Sequence, residues 1–123
     1  IGVVTCVTRK RLPPAFRVVA VEANPALVPL VCRNLDLNRC SEGTIVEHAA
    51  IAYEETRMVS FLAARHSTDG RIFSDAAAAS SLEGHSGVTL VPVLTLSQLL
   101  RKHHIEAFTL IADIEGAEHA LFA

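Results

Sequence analysis

Arg17–Pro25 reads RVVAVEANP, and the change of character within that stretch decides the fold. Its first part is a short run dominated by valine. Such a run predicts a strand over Arg17–Val21, buried on both faces as in parallel sheets. Glu22 stands at the carboxyl end of that strand. Asn24-Pro25 then supplies a helix start, with Asn as N-cap and Pro at the first helical position. The helix carries Leu27, Leu30, Val31 and Leu35 at three- and four-residue spacing and closes near Asn38. Pro29 removes a hydrogen bond from its opening turns, so a kink or a delayed start is expected there.

The same alternation runs outward in both directions. Residues 1–12 read as a helix with Ile1, Val4 and Val7 on one face and Arg9, Lys10 and Arg11 at its end. Pro13-Pro14 stops it, because proline lacks an amide donor and restricts its predecessor. Thr44–Ile51 and Met58–Ala63 read as further strands. Residues 65–87 are small and polar, with Gly70, Gly84, Gly87 and the run Ala76–Ala79, and predict a long flexible or lid-like loop: a lid, a binding segment or disorder. A short helix capped by Ser74 and Asp75 could interrupt it. Val88–Leu94 alternates apolar residues, and Thr95-Leu96-Ser97-Gln98 has the capping-box pattern, with Leu96, Leu99 and Leu100 on one face behind it. Phe108–Ile114 (FTLIADI) predicts another strand, and Glu115–Ala123 a last helix. Strands alternating with helices predict a doubly wound α/β sheet forming one domain over residues 1–123.

Half of the 123 residues are apolar and the formal net charge is −2, enough for a core and too little charge bias to name a partner. The basic footprint of a nucleic-acid binder is absent, so no nucleic-acid partner is expected. No run of about 18 apolar residues exists, so no membrane span is expected, and no signal peptide is visible. Cys6, Cys32 and Cys40 are odd in number and lack metal-ligand spacing. Buried or idle thiols in a reducing, cytoplasmic setting are the expectation, with no metal.

Two places could carry chemistry. Glu22 lies where open α/β sheets bind ligands, and a carboxylate there can accept two hydrogen bonds from a ribose diol. It could equally cap the following helix electrostatically, and nicotinamide enzymes use the same geometry. Asp113-Ile114-Glu115-Gly116-Ala117-Glu118 places three carboxylates at a strand end and helix start. Asp113 ends an apolar strand, where burial without a partner is costly, and Gly116 suits a close approach to the backbone. His48 could touch an adenine ring or simply face solvent. His103-His104 falls at a helix C-terminus, where cations are favoured.

In order, VVAVEANP (Val18–Pro25), NLDLN (Asn34–Asn38), VEHAAIA (Val46–Ala52), SSL (Ser80–Leu82), VPVLTLSQLL (Val91–Leu100) and DIEGAEHALF (Asp113–Phe122) resemble FkbM-type methyltransferases. IGVVT (Ile1–Thr5) looks like the tail of that family's glycine-bearing first motif. The resemblance covers nearly the whole chain, and DIEGAE after an apolar strand is its most diagnostic part. It implies a Rossmann-like methyltransferase sheet, S-adenosylmethionine as cofactor, and methyl transfer to a hydroxyl of a sugar or other small molecule. By position, Glu22 would bind the cofactor ribose, Gly2 would belong to the loop around its methionine moiety, and His48 and Ala49 would flank the adenine. Asp113 and Glu115 would face the methyl-transfer site.

Set against the family pattern, a sheet without the first strand and the final antiparallel strands is expected, and Ile111 stands where a lysine is common. A second reading follows from that: an inactive, truncated fragment that self-associates, as a homo-oligomer, through open sheet edges. A nicotinamide-dependent Rossmann protein is a third, and DIEGAE speaks against it.

Overall fold

The computed structural model describes residues 1–52, 58–63, 70–73 and 88–112. The chain divides into two compact units, Ile1–Ala49 and Ala50–Ala123. It is α/β, as the alternation of patterns predicted, and the described strands form one two-stranded and one four-stranded sheet.

The first unit runs α1 (Val3–Arg11), β1 (Val18–Glu22), α2 (Val28–Leu37), β2 (Thr44–His48). The strands pair in parallel from Val18 opposite Thr44 to Glu22 opposite His48, with α2 as the crossover between them. Every residue of both strands is half-buried, short of the two-sided burial expected for β1. The core is made instead by Cys6 of α1, Val31 and Leu35 of α2 and Cys40, with Val46 of β2 packed against them.

α1 shows why an apolar stripe does not by itself choose the buried face. Ile1, Val4 and Val7 form the sequence's stripe, yet Val4 is 59% and Val7 49% exposed, while Cys6 is 8% exposed. The helix turns Cys6 inward because Gly2 and Cys6 lie against α2: a Cβ built on Gly2 would stand 3.5 Å from Val31 Cγ1, and the Cys6 Sγ lies 3.9 Å from the Asn34 carbonyl oxygen. At the other end Leu12 is extended, as a residue before proline should be. The Arg9 guanidinium donates to the carbonyls of Leu12 (3.2 Å), Pro13 (3.1 Å) and Phe16. It closes the loop that delivers the chain to β1.

α2 starts late, as Pro29 required. Asn24 is not its N-cap: its Oδ1 accepts the Ala26 amide at 3.0 Å and its carbonyl accepts those of Leu27 and Val28. That turn carries the chain to a helix with Pro29 in its opening positions, where a missing amide costs little. Leu27, Val31 and Leu35 are buried and Leu30 is not. The helix ends in a Schellman motif, with Arg39 left-handed (φ 57°) and the Cys40 amide reaching back to the Leu35 carbonyl at 2.8 Å.

The stretch Thr44–Ile51, expected as one strand, is interrupted at Ala49. β3 (Ala50–Ile51) belongs to the second unit and pairs in parallel with β6 (Val88–Leu94). β4 (Met58–Ala63) runs antiparallel to β6 and to β5 (Gly70–Phe73), giving the order β3-β6-β4-β5. β5 interrupts the loop expected at 65–87 with a strand that was not foreseen; four residues are too few to show a period, and they pair because the edge of β4 offers a partner. The rest of that stretch, including the helix start at Ser74-Asp75, lies outside the described residues. Val91 (0% exposed) and Val93 (8%) face inward from β6. Pro92 is tolerated in this central strand because it stands opposite Met58, the first residue of β4, and β3 joins only from Val93.

α3 (Leu96–Lys102) begins with the capping box the sequence promised. Gln98 donates its amide to Thr95 Oγ1 at 3.1 Å, and its Oε1 accepts the Thr95 amide at 2.9 Å. Its end repeats the Schellman geometry, with His104 left-handed (φ 52°) and the Ile105 amide on the Leu100 carbonyl at 2.9 Å. Beyond it, Phe108–Ala112 carries no strand, and Phe108 (51%) and Ile111 (63%) are exposed. The expected strand there fails over its described part because no described strand pairs with it, and apolar composition alone does not hold an extended backbone.

Candidate functional site

The parallel register brings Glu22 and His48 side by side at the carboxyl ends of β1 and β2. α2 departs from this end, and Gly2 lies beside α2, where a Cβ built on it would stand 3.5 Å from Val31 Cγ1. Two of the residues expected around a nucleoside, Glu22 and His48, therefore belong to one end of the first unit, with Ala49 next in the chain after His48. Nothing in the sequence guaranteed this: a slip of one residue would put Glu47 or Ala49 opposite Glu22 and turn the His48 side chain to the other face.

Glu22 is half-buried, and its Oε1 accepts the Asn24 amide at 2.8 Å. Among the described residues its Oε2 has no hydrogen-bond partner. Its backbone carbonyl accepts the Ala49 amide at 3.2 Å, so the ladder is tied one step past the strand tips. Ala49 is buried, at 2% exposure, and presents no polar side chain. His48 Nε2 is buried and, among the described residues, has no hydrogen-bond partner. A buried ring nitrogen left unmet is costly in a finished core and is well suited to a polar ligand atom.

Gly2 is the N-cap of α1 and adopts the left-handed conformation (φ 74°). The added Cβ would have ordinary contact distance to Val31, so the backbone angle, not lack of space, favours glycine here. Asp113 and Glu115, expected at the methyl-transfer site, lie outside the described residues, as do Ser80 and Ser81. His103 and His104 fall at the end of α3, where a helix C-terminus was expected to place them. Cys6 and Cys40 are buried free thiols and Cys32 an exposed one. Burial pushes the Cys6 thiol above its ordinary value of 9.0, assisted by contact with Cys40.

Asn24 has a part that its reading as a helix cap missed. It is buried, at 7% exposure, and its own amide is the group that meets Glu22. The signal was present as the Glu-Ala-Asn spacing after the strand, which sets an amide two residues beyond a carboxylate.

The model of the methyltransferase FkbM domain matches residues 1–123, the full length of the chain. The chain belongs to that family. No curated protein and no solved structure matches it. The resemblance carried by VVAVEANP and DIEGAE is thus met by a family match over both segments, and a methyltransferase family implies a methyl donor. The FkbM domain described here has no helix, among the described residues, long and apolar enough to cross a membrane. No described group of His, Cys, Asp and Glu could hold a metal ion.

Proposed function

We propose that this FkbM domain is an S-adenosylmethionine-dependent O-methyltransferase acting on a hydroxyl of a sugar or other small molecule. One observation carries the reading: at adjacent strand tips, Glu22 keeps a carboxylate oxygen without a described partner and His48 a buried ring nitrogen without one. These groups fit an adenosyl moiety. The carboxylate would accept from the ribose hydroxyls, and the His48 ring and the Ala49 backbone would lie beside the base. Gly2, left-handed at the start of α1, would let the chain pass close to the methionine portion.

Bound S-adenosylmethionine supplies a methyl already activated by its sulfonium, so the protein's part is alignment and proton removal. When the acceptor oxygen takes the methyl, the carbon–sulfur bond breaks and the hydroxyl proton must leave. Asp113 and Glu115 are the carboxylates in the chain's DIEGAE segment proposed to face the acceptor and to receive that proton.

Calorimetric titration with S-adenosylhomocysteine tests the cofactor half of this reading. Binding to the intact protein is expected, with Glu22→Ala weakening it by about 1–3 kcal/mol, the worth of hydrogen bonds to a charged group. An unchanged dissociation constant in Glu22→Ala removes the ribose assignment.

A further inference from the structure

Asn24 is buried, at 7% exposure, beside the carboxylate of Glu22, the proposed acceptor for the ribose hydroxyls. Two bonds join in it. The Asn24 Oδ1 accepts the Ala26 amide at 3.0 Å, which folds residues 24–26 into a side-chain-closed turn; the Asn24 amide, aimed by that turn, donates to Glu22 Oε1 at 2.8 Å. The Asn24 carbonyl also receives the Leu27 and Val28 amides, at 3.0 and 3.3 Å, so the same residue fixes where α2 begins. A residue needed only to start a helix would have its side-chain oxygen on the second or third helical amide. Here it bonds an amide before the helix, inside the segment that returns to Glu22.

We propose that Asn24 is a positioning residue for Glu22. Its side chain holds the turn that delivers an amide to one carboxylate oxygen, so the other is presented to the nucleoside in one orientation rather than several. The claim rests on the reading of Glu22 as the ribose acceptor. A glutamate side chain on a strand tip has three torsions to restrain. An amide on Oε1 restrains them without consuming Oε2. Serine at position 24 could close the same kind of turn through its hydroxyl, whereas alanine could not.

The experiment measures S-adenosylhomocysteine affinity and thermal midpoint together for the intact protein, Asn24→Ala, Asn24→Ser, Glu22→Ala and the Glu22→Ala/Asn24→Ala double variant. Asn24→Ala is expected to weaken binding about tenfold at a temperature where it is fully folded, the size of one lost hydrogen bond to a charged group. Asn24→Ser is expected to recover affinity to within about threefold of the parent. In the Glu22→Ala background, adding Asn24→Ala should change affinity less than about twofold, because there is no carboxylate left to position. A lowered midpoint with unchanged affinity in Asn24→Ala overturns the positioning role while leaving Glu22 in place. So does an equal loss in both backgrounds. If the intact protein does not bind, or if Glu22→Ala binds as the parent does, the ribose reading itself fails and the role of Asn24 falls with it. Should Asn24→Ala not fold, Asn24→Ser carries the comparison, because it can still accept the Ala26 amide: affinity within about threefold of the parent supports the proposal and any larger loss contradicts it.

Discussion

Replacing Arg39 by glycine is expected to stabilise the fold, and the same replacement at Arg33, six residues earlier, to weaken it. Both arginines are exposed. Arg33 lies inside α2, where glycine in place of a good helix former costs about 1 kcal/mol. Arg39 stands just past the helix in the left-handed conformation (φ 57°), with its amide on the Asp36 carbonyl at 3.0 Å. A side chain in that conformation costs about 1–2 kcal/mol. Glycine removes that cost and adds about 0.5–1 kcal/mol of backbone entropy lost on folding. At mid-range values the net gain is about 0.7 kcal/mol, or about 2–4 °C in the midpoint of thermal unfolding. Arg39→Ala, which keeps a Cβ, should be neutral and serves as the control for the lost guanidinium. Urea unfolding at fixed pH would measure all three. Equal effects of glycine and alanine at position 39 would refute the backbone argument, since the side chain, not the dihedral, would then be responsible.

Thr95→Ala should cost about 0.5–2 kcal/mol by leaving the Gln98 amide without its cap; no change in the urea midpoint would show that α3 contributes nothing to cooperative unfolding. The Cys6 thiol, held protonated by burial, should make the fold lose stability as pH rises above 9.0. The sign follows from a folded-state value above the unfolded one: the stabilisation is complete below the unfolded value and is lost on passing through the folded one. Cys6→Ala should flatten that alkaline decline, and parallel declines in the two proteins would count against it. Asp113→Asn should lower turnover more than cofactor affinity if Asp113 takes the acceptor proton; unaltered turnover on a competent acceptor would exclude that role.

Local rules were legible wherever a residue's chemistry acts on its own neighbours. Pro29 delayed α2, Thr95 and Gln98 closed their capping box, and Pro13 ended α1, because each effect is complete within one turn of backbone. Pattern also found the strand–helix–strand unit from Val18 to His48. It failed where the answer depended on something distant. The stripe Ile1, Val4, Val7 was a fair signal of helix and a poor signal of its buried side, which α2 chose by packing against Gly2 and Cys6. Phe108–Ala112 had the composition of a strand and no described partner to make it one. β5 had a partner but too few residues to announce itself.

The candidate site divides along the same line. Glu22 at a strand tip ahead of a helix could be read from nine consecutive letters, because valine-rich extension and the Asn-Pro turn are both short-range preferences. That His48 stands opposite it, with a ring nitrogen unmet, was decided by the register of two strands joined through a helix. The Asn24 amide on Glu22 Oε1 likewise needed the folded turn. Sequence alone determined the capping box, the proline stops and the strand–helix–strand unit from Val18 to His48, since those free energies are local. Tertiary structure alone decided which side chains face one another, since that depends on pairing and packing between segments far apart in the chain.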